Sequence, residues 1–171
     1  FVSSLIFRVA NAISDEARAK FNEAQRIGNR GIYAGLNFWA PNVNLFRDPR
    51  WGRGMETFGE DPFLVTEFGK AIIAGYQGDD NNIGHMSKVA ACMKHFLGYS
   101  FSLSGKDRTP VWLPEREMRA YFLPTFQEAI ATGAKTVMIN SGEINGIPVH
   151  ANYDILTKLL RDELKFKGVV V

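Results

Sequence analysis

Apolar positions along the 171 residues alternate between two periods, and that alternation predicts the elements. Val9, Ile13, Ala17 and Phe21 recur at helical spacing among good helix formers, so a helix is predicted to end near Gly28 or Gly31. Leu36-Asn37-Phe38-Trp39-Ala40 is a short β-prone run stopped by Pro41. A second amphipathic helix is predicted from Phe63 to Tyr76, opening just after Pro62. Val89-Ala90-Ala91-Cys92-Met93 is apolar throughout, as in a strand buried on both faces. Gly98 to Pro114 reads as irregular, and Glu115 to Ala131 as a helix with acids in its first turn and Gly133 beyond its end. Thr136 to Ile139 then reads as a strand, Asn145-Gly146 as a turn, Tyr153 to Leu164 as a helix and Gly168 to Val171 as a last strand.

Helix-then-strand repetition of this kind predicts an α/β fold whose parallel strands alternate with covering helices. It is either a doubly wound sheet or part of a (β/α)₈ barrel. In both, ligand groups gather where strands end at their carboxyl side. Polar residues follow the apolar runs abruptly at Pro41-Asn42, Lys94-His95 and Asn140-Ser141, and a site is expected there.

Composition narrows the class without naming a function. With 46% hydrophobic and 22% charged residues the chain is an ordinary globular one, long enough for a sizeable core. A net charge of +2 gives no nucleic-acid footprint, and no apolar run reaches the length that spans a bilayer. Cys92 sits inside an apolar run and reads as a buried small side chain. His85, His95 and His150 show no ligand spacing with one another or with Cys92, so neither a metal nor any other cofactor is expected. No Gly-rich phosphate loop follows any predicted strand, which disfavours nucleotide binding.

The chemistry concentrates in Phe46-Arg47-Asp48-Pro49-Arg50-Trp51-Gly52-Arg53, followed by Phe58-Gly59-Glu60-Asp61-Pro62. Proline and glycine interrupt regular structure here, and a long loop is costly to order without a purpose. Arginine forks and a flat indole face suit hydroxylated rings or anions. The same composition also fits an Ω-loop stapled by its own ion pairs, with Arg47 and Arg50 set against Asp48, Glu60 or Asp61.

Together with Lys94-His95-Phe96 and Val137-Met138-Ile139-Asn140-Ser141, this block resembles the N-terminal domain of family 3 glycoside hydrolases, the family of β-glucosidases and β-xylosidases. The resemblance runs over essentially the whole chain. It implies a partial TIM-type (β/α)₈ barrel, with residues 1–171 an internal piece of that domain, truncated at both ends. The implied activity is retaining hydrolysis of β-glycosidic bonds, β-glucosidase-like because of Ser104-Gly105-Lys106-Asp107-Arg108. A β-xylosidase and a non-catalytic carbohydrate-binding domain on the same scaffold are the alternatives.

By resemblance, Arg53, Lys94 and His95 hold the sugar. Arg108 matches a further substrate-contacting arginine, and Glu56 orients Arg53 or Lys94. A solvated turn carrying an Asp107–Arg108 pair is the rival reading of Arg108. Ser141 stands where many members carry a tyrosine and is not counted in the site. Retaining hydrolysis needs two carboxylates. The resemblance places the nucleophilic aspartate just after Val171 and the acid/base in a later domain, so residues 1–171 alone are not expected to turn over substrate. The implied partners are a β-linked oligosaccharide or glycoside and the rest of the same polypeptide, including a C-terminal domain, with no nucleic acid and no membrane. A secreted, periplasmic or lysosomal setting is implied in the same way.

Overall fold

The computed structural model describes residues 2–78 and 82–171. In chain order these form α1 (Ser3–Arg26), β1 (Asn37–Phe38), α2 (Pro62–Gln77), β2 (Ala90–Phe96), α3 (Glu115–Glu117), α4 (Leu123–Ala131), β3 (Thr136–Ile139), β4 (Glu143–Ile144), β5 (Ile147–Pro148) and β6 (Val169–Val170). A π-helical turn, Met118–Phe122, joins α3 to α4, and a π-helix spans Asp154–Glu163. No helix among the described residues is long and apolar enough to cross a membrane.

The expected parallel arrangement is present. β1, β2, β3 and β6 form one sheet in that order, each pair parallel, with helical segments between successive strands. Ala91, Met93, Phe96 and Val137 are buried in this sheet, with Val89 just before β2, Val65 and Ile73 of α2 and Phe126 of α4 in the same core. Pro62 opens α2 as expected, and the Asp61 carboxylate caps it by accepting from Phe63 N–H at 2.9 Å. Asn145-Gly146, both at positive φ, turns a short antiparallel β4–β5 hairpin that the apolar pattern does not announce.

The stretch from Glu115 to Ala131 is helical throughout, as expected, but not regular. Pro124 lacks a donor and its ring opposes the carbonyl four residues back, at Ala120; the π turn lies there. Buried Gln77, at the end of α2, ties the amino ends of two strands together. Its Oε1 accepts from Ala91 N–H at 3.1 Å and Lys135 N–H at 3.2 Å, while its Nε2 donates to the Gly133 carbonyl at 2.8 Å.

The carboxyl ends of the strands converge. Val43 N–H donates to the Lys94 carbonyl at 2.9 Å and Lys94 N–H to the Pro41 carbonyl at 3.0 Å, so the chain beyond β1 continues alongside β2. Asn140 N–H donates to the Phe96 carbonyl at 2.6 Å on the other side. Asn140 is nevertheless structural, contrary to the strand-end expectation. Its amide donates to the Leu97 carbonyl at 3.0 Å and accepts from Gly142 N–H at 2.7 Å.

α1 and α2 touch through Gly75. A methyl group on its Cα would lie 2.6 Å from Ala10 Cβ and 2.7 Å from the Phe7 carbonyl oxygen. Gly75→Ala in the full-length protein should therefore lower stability by about 1–3 kcal/mol, the usual cost of overpacking, read as a lower thermal midpoint. An unchanged midpoint would mean that the two helices are not in close contact.

Candidate functional site

Two loops and the end of β2 build one cluster. β2 runs to Phe96, three residues beyond its purely apolar core, and its pairing with β3 shifts register between Lys94 and Phe96. Adjacent strand residues normally point to opposite faces. This irregularity lets Lys94 and His95 serve the same cluster.

Glu56 lies in a 3-10 turn, Gly54–Glu56, and gathers the cations. Arg53 grips it with both arms of its fork, Nε to Oε1 at 2.7 Å and Nη2 to Oε2 at 2.8 Å. Lys94 Nζ approaches Oε2 at 3.3 Å, and Asn42 Nδ2 donates to the same oxygen at 3.5 Å. Arg53 Nη1 reaches the Tyr99 hydroxyl at 3.4 Å, with the guanidinium 5.7 Å from the ring centre. The His95 ring packs on Tyr99 at 4.5 Å between centroids. Arg53, Glu56, Lys94 and His95 are therefore one assembly, while the sequence places them only in separate motifs.

Electrostatics follow from this packing. The Arg53 hydrogen bonds, helped by Lys94, pull the Glu56 carboxyl down to about 2, and the guanidinium is raised in return. His95 is only 4% exposed, and burial together with the charges of Arg53 and Lys94 lowers its pKa to about 3. At neutral pH the imidazole is neutral beside two fixed cations.

Two expectations are corrected. Trp51 offers no open face to a ligand: it is 2% exposed, stands perpendicular to Tyr99 with centroids 5.8 Å apart, and donates from Nε1 to Asp107 Oδ1 at 3.0 Å. It is a strut between loops, because an indole buried among side chains needs a partner for its N–H. Asp61, weighed as an arginine partner, caps α2 instead. Arg50 pairs with Asp48 at 2.7 Å and pulls that carboxyl down to about 2, whereas exposed Arg47 has no ion pair among the described residues.

Arg108 does not join the cluster. Its side chain is 71% exposed, and its ion pair, to Asp107, is a loose 3.7 Å. Its loop is nonetheless fastened beside the site. Gly105, at φ +73°, lies so close to the Asp48–Arg50 pair that a Cβ there would sit 2.6 Å from Arg50 Nε. Sequence reasoning missed Tyr99 and Asn44. The second is buried and bonded three times to His95; the only available sign was the alternation of Asn42 and Asn44 with apolar Val43 and Leu45.

Residues 15–171 match the sequence profile described as the glycosyl hydrolase family 3 N terminal domain. The chain belongs to this family. Among curated relatives, a lysosomal beta glucosidase of Dictyostelium discoideum is 48% identical over 137 residues, covering 78% of this chain and 17% of the relative. A beta-xylosidase/alpha-L-arabinofuranosidase of Medicago sativa subsp. varia is 35% identical over the whole of this chain and 22% of its own length. The chain thus spans about a fifth of the length of these relatives. A beta-glucosidase from Listeria innocua in complex with glucose superimposes with a TM-score of 0.88 at 35% identity, over 99% of this chain and 22% of that one. The parallel strands and helices are accordingly part of the family 3 barrel domain, as the resemblance implied.

His95 is expected to make the protein acid-sensitive. The unfolded ring takes up its proton near pH 6.5 and the folded one only near pH 3, so its contribution is complete above pH 6.5 and is lost as pH falls toward 3. Between those values the thermal midpoint of the full-length protein should fall more steeply than that of His95→Gln. Parallel curves would show that the ring is not held neutral.

Proposed function

We propose that the full-length protein hydrolyses β-glycosidic bonds as a retaining exo-acting β-glucosidase, releasing terminal non-reducing β-D-glucosyl residues, and that residues 1–171 supply part of its sugar-holding pocket. The observation that carries this reading is the joined Arg53–Glu56–Lys94–His95 assembly at the carboxyl ends of parallel strands. It occurs in a family 3 chain that is 48% identical to a lysosomal beta glucosidase. Arg53 and Lys94 present charged donors of fixed position, which suits the lone pairs of ring hydroxyls. Glu56 orients both. Arg108 is an auxiliary contact offered from the loop edge. The substrate is a β-linked oligosaccharide or glycoside, and the rest of the polypeptide is its necessary partner.

Retaining chemistry attacks the anomeric carbon with one carboxylate and protonates the leaving oxygen with another, and water then resolves the glycosyl-enzyme. We place the nucleophile on an aspartate directly following the β6 strand, beyond Val171, and the acid/base in a later domain. A β-xylosidase is the second reading, favoured by the Medicago relative that aligns over the entire chain. Initial rates on paired aryl β-glucoside and aryl β-xyloside substrates separate the two.

In the full-length enzyme Arg53→Ala and Lys94→Ala should each weaken transition-state binding by about 2–4 kcal/mol, the scale for losing a charged hydrogen bond in a closed site. Losses in kcat/KM below threefold for both would remove them from the pocket. Arg50→Ala should instead lower the thermal midpoint and leave kcat/KM close to wild type.

A further inference from the structure

His95 is held by three bonds to one side chain. Asn44 Oδ1 accepts from His95 N–H at 3.1 Å, Asn44 Nδ2 donates to the His95 carbonyl at 3.2 Å, and His95 Nδ1 lies 2.9 Å from the same Oδ1. The two backbone bonds settle which amide atom is oxygen. Exchanging the atoms would set an NH₂ against an N–H and an oxygen against a carbonyl, two repulsions in a buried place. The atom facing Nδ1 is therefore a carbonyl-type oxygen, which only accepts. Nδ1 must carry the proton.

Burial and the flanking cations hold the ring neutral, so it has one proton and Nδ1 has it. Nε2 is left with a bare lone pair. Among the described residues it has no hydrogen-bond partner, and no fully buried side-chain nitrogen or oxygen there lacks one, so Nε2 is open to solvent. Asn44 is itself enclosed: it is 2% exposed, lies between Val43 and Leu45 at 1% each, and its N–H donates to Asn42 Oδ1 at 3.0 Å.

We infer that Asn44 is a positioning residue that locks His95 as the Nδ1–H tautomer, so that Nε2 accepts a hydrogen bond from a hydroxyl of the bound sugar. The inference rests on the sugar-holding reading above and adds the direction of the bond. Arg53 and Lys94 only donate; a hydroxyl that must give its own proton needs an acceptor, and His95 supplies one. A desolvated acceptor left without its donor is penalised, so a sugar lacking that hydroxyl is rejected.

The test uses the full-length enzyme with ¹⁵N-labelled histidine, the His95 signals being assigned by their loss in His95→Gln. The wild type should show a protonated Nδ1 and an unprotonated Nε2 at neutral pH. Asn44→Asp should keep the proton on Nδ1, because Oδ1 still accepts there, while losing the amide bond to the His95 carbonyl lowers the thermal midpoint. Asn44→Leu should lose it and lower kcat/KM on an aryl β-glucoside about 10- to 100-fold, the range for removing a group that orients a working histidine. A protonated Nε2 in the wild type, or an unchanged pattern in Asn44→Leu, overturns the inference. If Asn44→Leu fails to fold, the wild-type and Asn44→Asp spectra decide alone.

Aryl glycosides with single hydroxyls replaced by hydrogen or fluorine supply the substrate side. At the position facing His95 fluorine should not restore the rate lost with hydrogen, since neither can donate, and His95→Phe, which has no acceptor, should erase the cost of removing that hydroxyl. Fluorine restoring the rate, or no position responding to His95→Phe, overturns the inference. An active enzyme with a protonated Nε2 sinks this inference and leaves the function intact. An enzyme inert on every glycoside sinks the function first.

Discussion

Glu56 holds two cations from different parts of the chain, Arg53 from its own loop and Lys94 from the end of β2. Without that carboxylate, two positive charges would stand unpaired beside a buried imidazole. Exposed ion pairs contribute little, but a bidentate arginine fork over a shared carboxylate is geometrically specific as well as attractive. The Lys94 side chain is only 14% exposed, which raises the cost of leaving its charge unpaired. Loop and strand therefore keep their relative position through Glu56, and the remaining contacts refine it.

An aromatic wall surrounds this charge centre. Trp51, Tyr99 and His95 pack in sequence, and Asp107 receives the indole N–H, so the arginine loop and the loop after β2 brace each other. The order matters physically. Buried Trp51 packs edge-on against Tyr99, and Tyr99 in turn contacts both the Arg53 guanidinium and the imidazole. The parallel sheet delivers these pieces to one end, and side-chain packing turns their proximity into a fixed arrangement.

Elements whose residues are committed by local pattern were legible in the sequence. The apolar run before Lys94, the Pro62 helix start and the Asn145-Gly146 turn each follow from a residue's own backbone preference or from burial on both faces. What the sequence hid depends on distant partners. Trp51 looks like a ligand platform until Tyr99 and Asp107 close over it. Gln77 looks like an ordinary helix-end polar residue until two strand amides and a carbonyl converge on its amide. The π turn before Pro124 was implicit in the proline's missing donor, yet periodicity alone reads straight through it. Arg108 illustrates the reverse. The motif alone gives it the same standing as Arg53, whereas the folded loop leaves it exposed at the edge of the cluster with a loose partner.

A sugar hydroxyl is both donor and acceptor, so a pocket built only of cations would satisfy half of its hydrogen-bonding capacity and strand the rest in a desolvated place. Both oxygens of Glu56 are already engaged by Arg53, and one of them also by Lys94 and Asn42; this carboxylate orients the donors and has little left for a ligand. The acceptor must come from elsewhere, and the cluster contains one neutral ring able to provide it. Placing two cations next to His95 helps keep it neutral, and Asn44 decides which nitrogen stays bare. On the sugar-holding proposal, the charges that donate to ring oxygens also maintain the lone pair that accepts a hydroxyl's hydrogen bond.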